Sequence, residues 1–103
     1  MDDIRIAFWE SYRYLFPAHA KAVQTGSGGL MISWAIRGDP HARFDHATPI
    51  SLRFEEDLIE AMRGADDEQR LKIAKRHEPS VKAGLVAYDP YTAVPKARVI
   101  VLG

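Results

Sequence analysis

The chain has 103 residues with 14 basic and 14 acidic side chains, so its formal net charge is zero and the basic field typical of nucleic-acid binders is missing. Hydrophobic residues make up 47% and charged residues 27%, the balance of a globular domain rather than a disordered string. Cysteine is absent, which excludes disulfides, thiolate metal ligands and cysteine nucleophiles together.

This length supports one domain over residues 1–103, burying roughly two-thirds of the surface that the unfolded chain would expose. Met1-Asp2-Asp3 is acidic, unlike the basic-then-apolar order of a secretory signal, and no apolar run reaches the length of a membrane span. A cytoplasmic protein is the expectation.

Residues 3–16 carry Ile4, Phe8, Tyr12 and Leu15 at helical spacing, with Trp9 and Phe16 widening the stripe. Asp2 and Asp3 favour a helix start. Pro17 disfavours helical geometry at Phe16 and ends or kinks the helix there. The five aromatics of this segment are expected to pack on a sheet rather than to form a ligand platform.

Residues 18–25 are mixed, alanine arguing for helix and the short run before a glycine-rich loop for strand. A short strand at about 20–25 is expected, forming a hairpin with the next segment through Gly26-Ser27-Gly28-Gly29. A phosphate cradle needs a helix N-terminus behind its glycines, and the segment after Gly29 is strand-like. In Leu30–Arg37, Leu30, Ile32, Trp34 and Ile36 fall on one parity and Met31, Ser33, Ala35 and Arg37 on the other. This is a strand with one heavy apolar face.

After a polar connection over 38–48, Pro49–Phe54 alternates again, with Ile50, Leu52 and Phe54 on one side. Glu55-Glu56-Asp57, Arg63 and Gly64 punctuate a helix, and Leu58, Ile59 and Met62 are its apolar stripe. A further helix is expected over about 66–77, with Asp66 as N-cap and Gln69 at capping-box spacing. Another is expected over about 79–88, with Pro79 in its first turn. Leu71, Ala74, Val81 and Leu85, with Ile73 and His77 beside them, are assigned to the buried face of this region. Asp89-Pro90-Tyr91-Thr92 is a turn, and Ala97–Leu102 is apolar on both parities, which predicts a strand buried on both sides or, alternatively, one that pairs with another subunit. The fold class is therefore α+β: an N-terminal helix, a small antiparallel β-meander, two to three helices on one sheet face, and a C-terminal closing strand.

Three groups of residues are candidates for function. His41, Asp45 and His46, with Asp39 nearby, combine imidazoles and carboxylates that coordinate divalent metals, although the spacing matches no recurrent site. No serine or lysine nucleophile sits in a recognisable frame beside them, so no catalytic residue is assigned and no cofactor is expected. Met31, Ser33, Ala35, Ser51 and Arg53 form the lighter sheet face, which is free to stay wet or to meet a partner.

Lys72, Lys75, Arg76 and Lys82 share a helix face that a nucleic acid would approach. The order of elements resembles double-stranded RNA-binding and KH modules in topology only. Asp66, Asp67 and Glu68 repel phosphate at the helix start, and no Gly-x-x-Gly joins the later helices. The expected function is a non-enzymatic interaction or assembly module, with a homodimer as its simplest form. The alternatives are a small metal-binding protein or enzyme at His41, Asp45 and His46, and a nucleic-acid binder at the Lys72–Lys82 face.

Overall fold

A computed structural model describes residues 1–35, 49–86, 88 and 98–103. Helix α1 (Asp3–Tyr12) continues into a 3-10 turn at Arg13–Leu15, and β1 (Lys21–Gln24), β2 (Leu30–Ser33) and β3 (Ile50–Phe54) come next. Helices α2 (Glu56–Arg63), α3 (Asp67–Arg76) and α4 (Glu78–Val86) lead to β4 (Arg98–Leu102). The fold is α+β, and its sheet has the order β1-β2-β3-β4. The pairs β1–β2 and β2–β3 are antiparallel, forming the meander, while β4 lies parallel to β3.

Helix α1 starts where the sequence provides a cap. The Asp2 carboxylate accepts from the Arg5 amide at 2.9 Å and pairs with the Arg5 guanidinium at 2.8 Å, satisfying an amide that a helix start leaves unpaired. Arg5 also donates from Nε to the Gly28 carbonyl at 2.8 Å, and the Asp2 amide donates to Gln24 Oε1 at 2.9 Å. The same two residues thus staple the helix start to the β1–β2 hairpin. Gly28 turns that hairpin at φ +86°, a left-handed conformation that glycine adopts without Cβ strain.

Four of the five aromatics of residues 3–16, Phe8, Trp9, Tyr12 and Phe16, form core, whereas Tyr14 in the 3-10 turn is 63% exposed. Phe8 and Tyr12 are fully buried and Trp9 nearly so. The Phe8 ring stacks on Phe54 of β3 with centroids 4.3 Å apart, joining helix to sheet. Ile4, Ala7, Leu30, Ile32, Ile50, Leu52, Leu58, Ile59, Met62, Val81, Ile100 and Leu102 complete the same cluster. Helix α3 packs on α1, and α4 packs on β4, where Gly84 leaves room for Ile100. A Cβ at Gly84 would stand 2.6 Å from Ile100 Cδ1.

Two further expectations about burial change. The terminal strand is buried on one face only: Ile100 and Leu102 face the core, whereas Val99 and Val101 are 47% and 52% exposed. The helices lie on one side of the sheet, so apolar character on both parities of β4 does not produce burial on both. Leu71 is 48% exposed because α3 turns Ala74 toward α1, and Leu71 stands one turn earlier at the rim. Trp34 is partly buried, in ring contact with Phe16 and Tyr88. The turn expected at 89–92 lies outside the described residues.

The Tyr12 hydroxyl donates to the Ala74 carbonyl at 2.5 Å and ties α1 to α3. Burial, with added repulsion from Glu78, pushes the Tyr12 phenol above its ordinary range. A raised value in the folded state means that the contribution is complete below the ordinary tyrosine value of ~10 and is lost as pH rises beyond it. Tyr12→Phe is expected to lower stability by about 1 kcal/mol at neutral pH in urea melts. Its alkaline loss of stability should also be shallower than that of the wild type, measured over the same pH series.

Candidate functional site

The sheet has one covered and one open face, and its register defines both. Side chains alternate along a strand, so Ala22, Leu30, Ile32, Ile50, Leu52, Ile100 and Leu102 share the helix-covered side. The odd-numbered positions share the other. The pairings Val23↔Met31, Met31↔Ser51 and Ser51↔Val99 place Val23, Met31, Ser51 and Val99 in one row across all four strands. Lys21 opposite Ser33, and Arg53 opposite Val101, border the row on either side.

Along this row Val23 is 62% exposed, Met31 and Ser51 are half-buried, and Val99 is exposed. Among the described residues no helix or strand covers it, and the row is more apolar than the surroundings of a solvated sheet face require. The expected surface residues therefore come together: Met31 and Ser51 at the centre, Ser33 and Arg53 at the margins, and Ala35 exposed just beyond β2. His19 Nε2 lies 2.9 Å from the Ala35 carbonyl and holds the end of this strand against the segment before β1.

Val23, Val99 and Val101 belong to this surface as well, although the sequence pattern alone does not assign them to it. The signal that places them is parity: Val99 and Val101 alternate with Ile100 and Leu102, and Val23 alternates with Ala22. Parity assigns two faces but not which one the helices cover. That depends on all the helices packing on the same side.

The edges of the sheet differ. β1 ends the sheet on one side with Lys21 and Gln24, and Gln24 is engaged by Asp2. β4 ends it on the other side with Arg98-Val99-Ile100-Val101-Leu102, a β-branched run without proline or an internal charge. The Arg98 amide donates to the Pro49 carbonyl at 2.9 Å, and the Glu55 amide donates to the Leu102 carbonyl at 2.8 Å. Arg98, Ile100 and Leu102 therefore turn their peptide groups toward β3. Val99 and Val101, of opposite parity, turn theirs outward.

The expected basic face is interspersed with acids. Lys72 lies 3.6 Å from Glu68, and Lys82 lies 3.7 Å from Glu78. Lys72 and Arg76 border a hollow that also includes Glu60, while Lys75 borders another with Glu10 and Glu78. These side chains are mixed with opposite charge, so a phosphate backbone meets no continuous basic stripe there. Between α1 and α3 a groove of about 330 Å³ exposes Ile6 and Leu71 beneath Asp3, Glu10, Asp67 and Arg70.

His41, Asp45 and His46 lie outside the described residues. His77 caps the C-terminus of α3, with its amide bonded to the Ala74 carbonyl, far in sequence from His19. Among the described residues no group of three or more histidines and acids is placed to hold a metal. Also among them, no helix is long and apolar enough to cross a membrane.

Comparison of the chain with protein-family models, curated proteins and solved structures gives no match.

The face assignment has a direct thermodynamic signature. Val99→Thr and Val101→Thr should each change monomer stability by no more than ~0.5 kcal/mol, because neither side chain fills the core. Ile100→Ala between them should cost about 2–5 kcal/mol. Urea melts of the three variants in dilute solution read the difference.

Proposed function

We propose that the chain is a small non-enzymatic interaction or assembly module that acts as a homodimer, using the open sheet face on its β4 side. The observation that carries this reading is the half-exposure of Val99 and Val101 on an edge strand that continues the apolar row from Val23 through Met31 and Ser51. Burying exposed apolar surface is the dominant driving force for association, at roughly 25 cal/mol per Å² before the costs of binding. Arg53, paired with Val101 on the open face, supplies a polar margin to this contact. A cytoplasmic setting belongs to the same reading and is supported by the absence of cysteine.

Sedimentation velocity over a concentration series tests the proposal. The wild type should pass from one-chain to two-chain mass as concentration rises into the high micromolar range. Val99→Lys, which places a charge in the middle of the contact, should weaken that association at least ~10-fold, equivalent to 1.4 kcal/mol. A wild type that stays monomeric throughout the series rules the homodimer out.

A further inference from the structure

We infer that the partner of β4 is the β4 strand of a second copy, paired antiparallel about a two-fold axis through Ile100 so that the two sheets become one. This rests on the homodimer proposed above and specifies its geometry.

A two-fold antiparallel pair centred on Ile100 sets Val99 against Val101 of the second copy, Val101 against its Val99, and Ile100 against its Ile100. Antiparallel strands alternate between pairs that exchange two hydrogen bonds and pairs that exchange none. Because Val99 and Val101 turn their peptide groups away from β3, both Val99–Val101 pairs fall on the hydrogen-bonding positions. The Ile100 pair falls on the non-bonding position, as its inward-facing peptide requires. Edge and register are therefore self-complementary, and both donors and both acceptors on the exposed side of the strand are satisfied. A two-fold interface must place the same patch on both subunits, and this five-residue edge meets that condition with no change in its backbone.

The side chains agree with this register. On the open face, valine stands opposite valine across the join, a favourable β-branched pairing. The row Val23–Met31–Ser51–Val99 then runs on to Val101 and Arg53 of the second copy. At each end the join brings Arg98 of one copy toward Leu102 of the other, whose carbonyl is bonded to Glu55. Arg98 shares the helix-side parity of Ile100 and Leu102, so the ends of the join set it opposite leucine and bring no like charges directly opposite each other. Edge strands are ordinarily protected by lysine, proline, an inward charge or a bulge. β4 has one charge, Arg98 at its first position, and Val99–Leu102 carries none of these features, whereas β1 carries Lys21.

The chain contains no cysteine, so single introduced thiols report the register. In the inferred pairing, Val99 and Val101 of the second copy have Cα atoms about 5.5 Å apart, within the disulfide range of about 4.4–6.8 Å. Val99 and its own copy are diagonal neighbours at roughly 7–8 Å. A mixture of Val99→Cys and Val101→Cys proteins, oxidised with glutathione, is expected to give disulfide dimers at least several-fold faster than either protein alone. Val101→Pro removes an outward amide that the ladder to β3 does not use, so it should abolish two-chain mass in sedimentation while keeping the far-ultraviolet circular dichroism of the wild type. Two-chain mass with equal cross-linking in mixed and single samples, or a folded Val101→Pro protein that remains dimeric, overturns the edge pairing and leaves the homodimer standing. Wild-type protein that never exceeds one-chain mass overturns both. If Val101→Pro fails to fold, the cross-linking comparison decides alone.

Discussion

The structure depends on α1 being buried from two directions at once. Phe8 stacks on Phe54 of the sheet, and Tyr12 bonds the Ala74 carbonyl of α3, so one helix links the sheet to the outer helical layer. A ten-residue helix is too short to persist alone in water, and its apolar face is stabilised by these two packings. Asp2 and Arg5 fix its start against the hairpin. The Asp2 carboxyl is subject to opposing influences: partial burial raises it, while the Arg5 amide and guanidinium lower it, and the net shift is downward. The carboxylate form is thus favoured where it serves as both cap and clamp.

Much of this is legible in the sequence because local chemistry and tertiary placement agree. The Asp66–Gln69 cap, the glycine-rich hairpin turn and the alternation in β2 and β3 each specify a backbone state without reference to the rest of the chain. The aromatic stripe of α1 is legible for the same reason, since helical spacing and core burial coincide there. Leu71 and the two exposed valines of β4 depart from their pattern on a different ground. Periodicity reports that a residue is apolar on a given side, whereas burial requires another element on that side. At Leu71 the neighbouring helix has already met Ala74, and at Val99 and Val101 no described helix reaches the face. Met31, Ser33, Ser51 and Arg53 share one face by parity alone, but its apolar row emerges only once strand order sets Val23 and Val99 at either end.

Among the described residues, the open face and the uncovered β4 edge have a common origin. The described helices pack on one side, and no described helix or strand covers the second side of the sheet. Only strands with polar residues on that side, such as β1 with Lys21, are suited to water. β4 is not, and its outward peptide groups coincide with its outward valines. Backbone complementarity would supply geometry for the proposed partner, and apolar contact would supply affinity. The hollows between the helices, by contrast, alternate charges of both signs and present neither a continuous field nor a deep cavity.

The parallel alignment of β4 with β3 bears on how the chain reaches this state. β1 and β2 pair across a tight hairpin and β2 and β3 across residues 34–49, whereas β4 reaches β3 only across residues 55–97, the longest of the three connections. Loop-closure entropy grows with that separation, and non-local strand pairing slows folding. Pairing β4 with β3 therefore closes the longest loop and carries the largest chain-entropy cost of the three strand pairings. Before β4 pairs, β3 is itself an edge strand. A chain in which β4 is unpaired therefore has an interior strand of the finished sheet at its edge, and β4 protects it on pairing.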